Sequence, residues 1–275
     1  MEPATRRARP KNRAIRYALR GFLALTLLGA LGLGYGFFIE PYWIEVTHYP
    51  VQWDGLSQKI KIAHLTDLHI QEWGRREKKL LQLLDEERPD LIVITGDTAS
   101  PGISDEVRYH LLSKLKAPLG VYAVRGNWEI WSPMEDEEGL YLQSGIRLLI
   151  NERQKVSDSL WIVGLDDALA GSPNLNKAFP NTPTHAPCIA LLHSPSLFNE
   201  VAGRCPLVLA GHTHGGQVRI PWMGPLWLPP GSGTYAAGWY ESNGSKLYVS
   251  RGIGNSILNL RFACRPELAI ITING

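Results

Sequence analysis

Hydrophobic and polar positions along the chain change period three times. From Gly21 to Ile39 (GFLALTLLGALGLGYGFFI) no residue carries a charge. As a helix rising 1.5 Å per residue, this run spans about 28 Å, close to the roughly 30 Å of a hydrocarbon layer. It is expected to be a transmembrane helix. Beyond it, strand and helix patterns alternate. Lys59–Thr66 (KIKIAHLT) reads as a strand, and Arg76–Arg88 as a helix with leucines at helical spacing, stopped by Pro89. Asp90–Thr95 (DLIVIT) reads as a strand buried on both faces, Ser104–Lys116 as an amphipathic helix with Ser104 as its N-cap, and Gly120–Val124 as a strand.

The second half is richer in strand. Ile146–Ile150, Leu160–Val163, Cys188–Leu192, Pro206–Ala210, Lys246–Ser250 and Glu267–Ile273 fit the pattern, and Ser242-Asn243-Gly244-Ser245 signals a type I′ hairpin. A βαβαβ half followed by a strand-rich half predicts an α/β protein of two packed sheets flanked by helices. Ligands in such folds gather at the carboxyl ends of strands.

Charge sharpens the membrane reading. The net charge of +2 divides into +6 over residues 1–20 (seven bases against Glu2) and −4 over the rest. Bases crowd the N-terminal flank of the apolar run, while Glu40, Pro41, Tyr42 and Trp43 follow it, so the N-terminus is expected in the cytoplasm. Three regions result: a basic cytoplasmic tail (1–20), a transmembrane anchor (21–39) and one extracytoplasmic domain (40–275) of a single-pass cell-membrane protein. Arg6 and Arg7 also suit a cleaved export signal, but Arg9, Pro10 and the lack of an AxA site favour a retained anchor. Gly32 and Gly36 form a GxxxG pair that a glycine-rich segment produces by composition. The −4 of the body and the lack of a basic aromatic patch argue against a nucleic-acid partner. Cys188, Cys205 and Cys264, odd in number and scattered, predict neither a disulfide framework nor a CxxC clip.

Five apolar runs end in residues able to bind a metal. Asp67 and His69 follow KIAHLT, and Gly96 and Asp97 follow LIVIT. Gly126 and Asn127 follow VYAVR, His193 follows CIALL, and Gly211, His212 and His214 follow PLVLA. In DxH and HxH, residues two apart along an extended chain share a face and reach one ion. The glycines allow close approaches that a Cβ would block. Four imidazoles, two carboxylates and one amide oxygen, without a thiolate, favour Mn, Fe or Zn. Seven ligands suit two divalent ions with one aspartate bridging.

The blocks DxH, GD, GN, H and GHxH resemble those of the calcineurin-like metallophosphoesterases, over roughly Lys59 to Ile273. GHTHGGQ at 211–217 with an N-terminal anchor is similar to the bacterial membrane-anchored branch, transmembrane proteins with a metallophosphoesterase domain. The resemblance implies a four-layer α/β/β/α sandwich of two mixed sheets. It places Asp67, His69 and His214 on one metal, Asn127, His193 and His212 on the other, and Asp97 between them. Asp97, Asn127 and His193 are the expected catalytic residues. The implied reaction is hydrolysis of a phosphoester or pyrophosphate by a metal-bound hydroxide, and the anchor suggests a membrane-associated substrate, for which a lipid is one candidate. Similarity within the branch also suggests a UDP-2,3-diacylglucosamine pyrophosphatase of lipid A synthesis, whose substrate is made on the cytoplasmic side. A non-catalytic metal-dependent binding protein is the remaining alternative.

One block departs from the pattern. Where the family has GNH followed by an acid, this chain has Gly126, Asn127, Trp128 and Glu129. An indole N–H donates a hydrogen bond but shuttles no proton. His64, His185 and Glu129 are candidates to replace the missing histidine, and Asp166 or Asp167 could support the metal shell. The loop 221–240 (PWMGPLWLPPGSGTYAAGWY) reads as a lid over the sheet or a surface for lipid headgroups.

Overall fold

The computed structural model describes residues 11–53, 56, 58–180 and 187–275. The first half of the basic tail, including Arg6, Arg7 and Arg9, lies outside the described residues, as does His185.

The apolar runs become the inner strands of two six-stranded mixed sheets. The first holds β1 (Glu45–Gln52), β2 (Ile60–Leu65), β3 (Leu91–Thr95), β4 (Val121–Val124), β5 (Arg147–Leu148) and β14 (Glu267–Asn274), in the order β1-β14-β2-β3-β4-β5. The second holds β6 (Glu152–Ser157), β7 (Leu160–Gly164), β8 (Cys188–Leu191), β9 (Leu207–Ala210), β12 (Gly238–Ser242) and β13 (Ser245–Val249), in the order β12-β13-β9-β8-β7-β6. A ribbon of β10 (Arg219–Ile220) and β11 (Gly224–Pro225) stands apart. β2, β3, β4 and β5 run parallel, as do β7, β8, β9 and β13.

Helices cover the outer faces. α2 (Arg75–Glu87), α3 (Asp105–Leu112) and α5 (Glu137–Gln143) pack Leu80, Leu84, Leu111 and Tyr141 on the first sheet. α6 (Leu175–Ala178) and α7 (Phe198–Val201) pack Ala178 and Phe198 on the second, and α4 (Asn127–Trp131) opens directly after β4. Between the sheets lies a third apolar layer, including Ile62, Val93, Ile189, Leu209 and Ile271. This is the expected α/β/β/α sandwich.

Within the two main sheets, the strands missed in the sequence, β1, β6 and β12, all lie at edges. One flank of an edge strand meets solvent, so its residues need not be apolar, and Pro50 in β1 is tolerated there. The expected helix over Ser104–Lys116 ends at Leu112, and Ser104 caps it without a side-chain hydrogen bond. The hairpin holds: Asn243 and Gly244 have φ of 48° and 75°, as a type I′ turn requires.

The expectation of no disulfide is overturned. Cys188, opening β8, and Cys205, just before β9, are bonded, with Cα atoms 5.2 Å apart. β8 and β9 are parallel neighbours, so their entrances lie side by side although 17 residues separate the cysteines. That adjacency belongs to the sheet, not to the spacing. Cys264 is free and buried.

The apolar run lies within α1 (Lys11–Phe38), a helix long and apolar enough to cross a membrane and almost wholly exposed within the protein. Its final turns touch the domain, which gives the glycine pair a use beyond composition. A Cβ on Gly36 would stand 2.7 Å from Leu260 Cδ1, and Gly36 O accepts from Arg261 N at 3.0 Å. Beyond the helix, the buried Glu40 carboxylate accepts from the amides of Ala263 and Cys264.

Arg261 ties this region together. Its fully buried guanidinium donates to the carbonyls of Arg251, Gly252, Gly254 and Cys264 and to Asn255 Oδ1. Burial holds its pKa down to about 10, still charged at neutral pH. Arg261→Leu strands these acceptors without a donor. Thermal or urea unfolding of the solubilised protein is expected to show a loss of about 3 kcal/mol or more.

Candidate metal centre

Both sheets send the C-terminal ends of their parallel strands to the same edge, and the seven ligand candidates sit just past those ends. Asp67 and His69 follow β2, Asp97 follows β3, Asn127 follows β4, His193 follows β8, and His212 and His214 follow β9. All seven are buried. The structure brings every one of them to a single place.

The donor atoms form two groups that meet at Asp97. In the first, His69 Nε2 lies 3.1 Å from His214 Nε2, and His214 Nε2 lies 3.3 Å from Asp67 Oδ1. In the second, His193 Nε2 lies 3.1 Å from Asn127 Oδ1 and 3.1 Å from His212 Nδ1. Asp97 Oδ2 stands between them, 3.6 Å from His69 Nε2 and 3.4 Å from His193 Nε2. Ligands about 2.1 Å from one ion in tetrahedral or octahedral array sit roughly 3.0–3.4 Å apart. The residues therefore fit a pair of ions. Asp67 Oδ1 has no hydrogen-bond partner although buried, as expected of an atom left free to bind a cation. Asp67, His69 and His214, and likewise Asp67, Asp97 and His193, could each hold a metal ion.

The backbone explains how DxH and HxH converge, and it differs from the sequence reading. Asp67, His69, Asp97, His212 and His214 all have positive φ, between 40° and 71°. Asp67 and His69 lie beyond the end of β2, so the alternation of an extended strand does not aim them. Left-handed backbone does. Such conformations are uncommon for non-glycine residues and gather at functional sites. The glycines act through close approach: a Cβ on Gly96 would stand 2.5 Å from Gly126 N, and one on Gly211 would collide with Thr66 Oγ1.

Outer hydrogen bonds orient each ring. His193 Nδ1 donates to Thr95 O at 2.7 Å, which turns Nε2 toward the centre. His212 Nε2 donates to Pro230 O at 2.6 Å, leaving Nδ1 as its ligand atom. Asp97 Oδ1 accepts from Trp128 N at 2.9 Å, leaving Oδ2 free. Asp67 Oδ2 accepts from Thr66 Oγ1 and His212 N, both at 2.9 Å.

Glu129 belongs to this outer set and does not supply the missing histidine's proton. Its carboxylate accepts from the amides of Asp97, Thr98 and Gly126 and from Thr98 Oγ1, at 2.7–2.8 Å. It therefore locks the loop after β3 to the loop after β4. His64 is likewise spoken for, buried in β2 with Nε2 2.8 Å from Thr95 Oγ1 and its pKa held down to about 4 by burial. Asp167 accepts from Ser194 Oγ, beside His193, and Asp166 grips Arg125, just before Gly126. Both buttress the ligand loops. The indole of Trp128 occupies the cavity wall with Trp131 against it, ring centroids 5.5 Å apart.

Residues 60–216 match the family model described as calcineurin-like phosphoesterase. The chain belongs to this family. It is similar to "Uncharacterized metallophosphoesterase YkuE" of Bacillus subtilis, 30% identical over 96% of this chain and 99% of that one. "Phosphodiesterase YaeI" of Escherichia coli is 30% identical over 91% of this chain and 96% of that protein. "Transmembrane protein with metallophosphoesterase domain" of Danio rerio is 28% identical over 84% of this chain and 56% of that one. A calcineurin-like phosphoesterase is a phosphoric ester hydrolase, and the clustered aspartates and histidines give this one the donors for metal ions.

Protonation is set by mutual burial. Burial pushes the Asp67 carboxyl up to about 7 and raises that of Asp97 as well. Burial lowers His69 and His214 well below the usual imidazole range and His212 to about 4. His193 goes the other way: burial opposes its charge, but the carboxylate of Asp97 lifts it well above that range. The metal-free phosphoesterase therefore holds protons on Asp67 and His193 that a cation must displace. Metal uptake is expected to release protons and to weaken as pH falls through about 7. Calorimetry of Mn²⁺ binding in buffers of different ionisation enthalpy, between about pH 6 and 8, measures both. A pH-independent affinity would contradict it.

Proposed function

We propose that this protein is an anchored, dinuclear metal-dependent phosphoesterase that cleaves phosphodiester or pyrophosphate bonds outside the cytoplasm. The observation that carries the reading is the interlocked pair of donor groups sharing Asp97 Oδ2. Asp67, His69 and His214 would hold one ion, and Asn127, His193 and His212 the other. When bound, two divalent ions supply Lewis acidity, activate water near neutral pH and offset charge on the phosphoryl oxygens.

The chain's own residues contribute position and exclusion. Thr95 O and Pro230 O fix the rings of His193 and His212, and Glu129 fixes the loops that carry Asp97 and Asn127. Among the described residues lining the cavity, the titratable ones are Asp97, His212 and His214, all ligand candidates. Trp128 stands where the family has its histidine, so no side chain is in place to protonate a departing oxygen. General acid assistance is worth about 10²- to 10⁴-fold. Its absence favours esters whose leaving oxygen departs as a stable anion, such as activated diesters and pyrophosphates. The relative named a phosphodiesterase, matched across most of the chain, supports the same bond class.

Two observations support the location. α1 has the length and apolarity of a span. The Cys188–Cys205 disulfide is a bond that persists in oxidising compartments and is rare in the cytosol. A UDP-2,3-diacylglucosamine pyrophosphatase would need the opposite placement, where that nucleotide-linked lipid is made.

The purified full-length protein is expected to hydrolyse bis(4-nitrophenyl) phosphate with Mn²⁺. Asp97→Ala should lower the rate by about 10³-fold or more and remove most bound metal. Turnover that survives metal stripping would overturn the mechanism. Thiol tagging of the denatured protein from intact cells checks the compartment. One tag without reductant (Cys264) and three with it are expected. Three tags without reductant would place the domain in a reducing compartment and revive the nucleotide–lipid substrate.

A further inference from the structure

Four of the seven ligand candidates, Asp97, Asn127, His212 and His214, line part of a cavity of about 490 Å³. That volume is in the range of sites that enclose a ligand much larger than a phosphoryl group. Its walls and mouth include Trp128 and Trp131 of α4, Leu226 and Trp227 of the loop 221–240, and Ile257 and Leu258, the last four in stretches without a charged side chain. At this mouth Ile257 is 86% exposed and Leu226, Trp227 and Leu258 are all more than half exposed, while Trp222 and Met223, also exposed, line a neighbouring recess on the same loop. Soluble proteins seldom leave so many large apolar side chains together in water.

The anchor shows what covers them. The loop that carries Ile257 and Leu258 continues into Leu260, Arg261 and Phe262, which dock on α1. Gly36 O, past the reach of the helix's own amides, accepts from Arg261 N. Phe262 lies against Gly32 and meets Tyr35 edge-on, with ring centroids 6.3 Å apart. Gly32 is seven residues before Ile39, the end of the uncharged run, or about 10 Å along the axis. A helix spanning the bilayer thus holds this loop beside the last turns of its apolar segment. Just beyond, Arg75 sits 3.7 Å over the Tyr42 ring and Arg265 4.2 Å over the Trp43 ring, the aromatic and cationic pairing favoured at a membrane surface.

Resting on the hydrolase reading above, we propose that the substrate is a lipid phosphodiester of the adjoining leaflet. Its phosphate reaches the centre formed by Asp97, Asn127 and the histidines. Its acyl chain lies in the groove between Trp227 and Ile257–Leu258, continuous with the bilayer. The apolar mouth dips into that leaflet, so the lipid enters without crossing water. In the reaction, water oxygen bonds to phosphorus and one ester P–O bond breaks. The electron pair leaves on the alcohol oxygen, and the protons of water pass to that oxygen and to solvent.

The test uses the full-length protein in phosphatidylcholine vesicles with Mn²⁺ and two diesters, methyl 4-nitrophenyl phosphate and hexadecyl 4-nitrophenyl phosphate. They share phosphate and leaving group and differ only in the chain. The expected result is a kcat/KM for the hexadecyl ester at least roughly tenfold above that for the methyl ester. The combined substitutions Trp227→Ser, Ile257→Ser and Leu258→Ser retain α1, and with it any advantage of tethering alone. They are expected to collapse the ratio toward unity while bound Mn²⁺ stays at the wild-type level. A ratio near unity in the unmodified protein, or one that the substitutions leave intact, overturns the lipid substrate and leaves the hydrolase standing. Failure to cleave either ester overturns the hydrolase reading and this one with it.

Discussion

Two carboxylates and four imidazoles are held together out of water, and the electrostatics of that crowd governs the rest of the structure. Ring nitrogens at 3.1 Å from one another present lone pairs to each other unless a proton or a cation lies between. Burial raises the carboxyls of Asp67 and Asp97, and His193 takes a charge that its burial opposes. Each of these is costly in isolation. A pair of divalent ions would resolve all of them at once, because it would supply the positive charge that the seven inward-facing donors lack.

The protein holds this arrangement by making the surroundings rigid. Left-handed backbone at five ligand residues aims side chains that a regular strand would send to opposite faces. Glu129 joins two ligand loops through one carboxylate. Asp166, through Arg125, braces the loop after β4 again, and Asp167, through Ser194, braces the loop carrying His193. One of these outer bonds comes from outside the sandwich, since Pro230 in the long loop orients His212. The loop is thus a wall of the cavity and a support of the metal centre together.

The same economy joins the centre to α1. Gly254 N donates to Asp67 O and Ile253 N to Thr66 O, so the segment after β13 supports the DxH turn. A few residues later that segment is bound to Gly36 and Glu40 at the base of α1. Arg261 spans the interval with its buried guanidinium. The mouth of the site is thereby tied to the base of α1.

Local pattern was enough to determine the inner strands, the main helices, the type I′ hairpin and the candidates that the fold gathers at one place. Each depends on residues near one another in the chain: continuous apolar runs, leucines at helical spacing, an Asn-Gly pair, and polar residues placed just where runs end. The departure at Trp128 was equally legible, as a single residue against a family motif. Edge strands escaped because solvent on one flank relaxes the demand for apolar residues. The disulfide escaped because only the pairing of β8 with β9 brings Cys188 to Cys205. The sequence offered Glu129 as an acid and explained the DxH spacing by strand alternation. Tertiary structure made Glu129 a clamp between loops and put Asp67 and His69 in left-handed turns beyond the strand. It also turned Gly32 and Gly36 from composition into a docking surface for Leu260 and Phe262. Contacts between distant segments decided these points, and no window along the chain contains both partners.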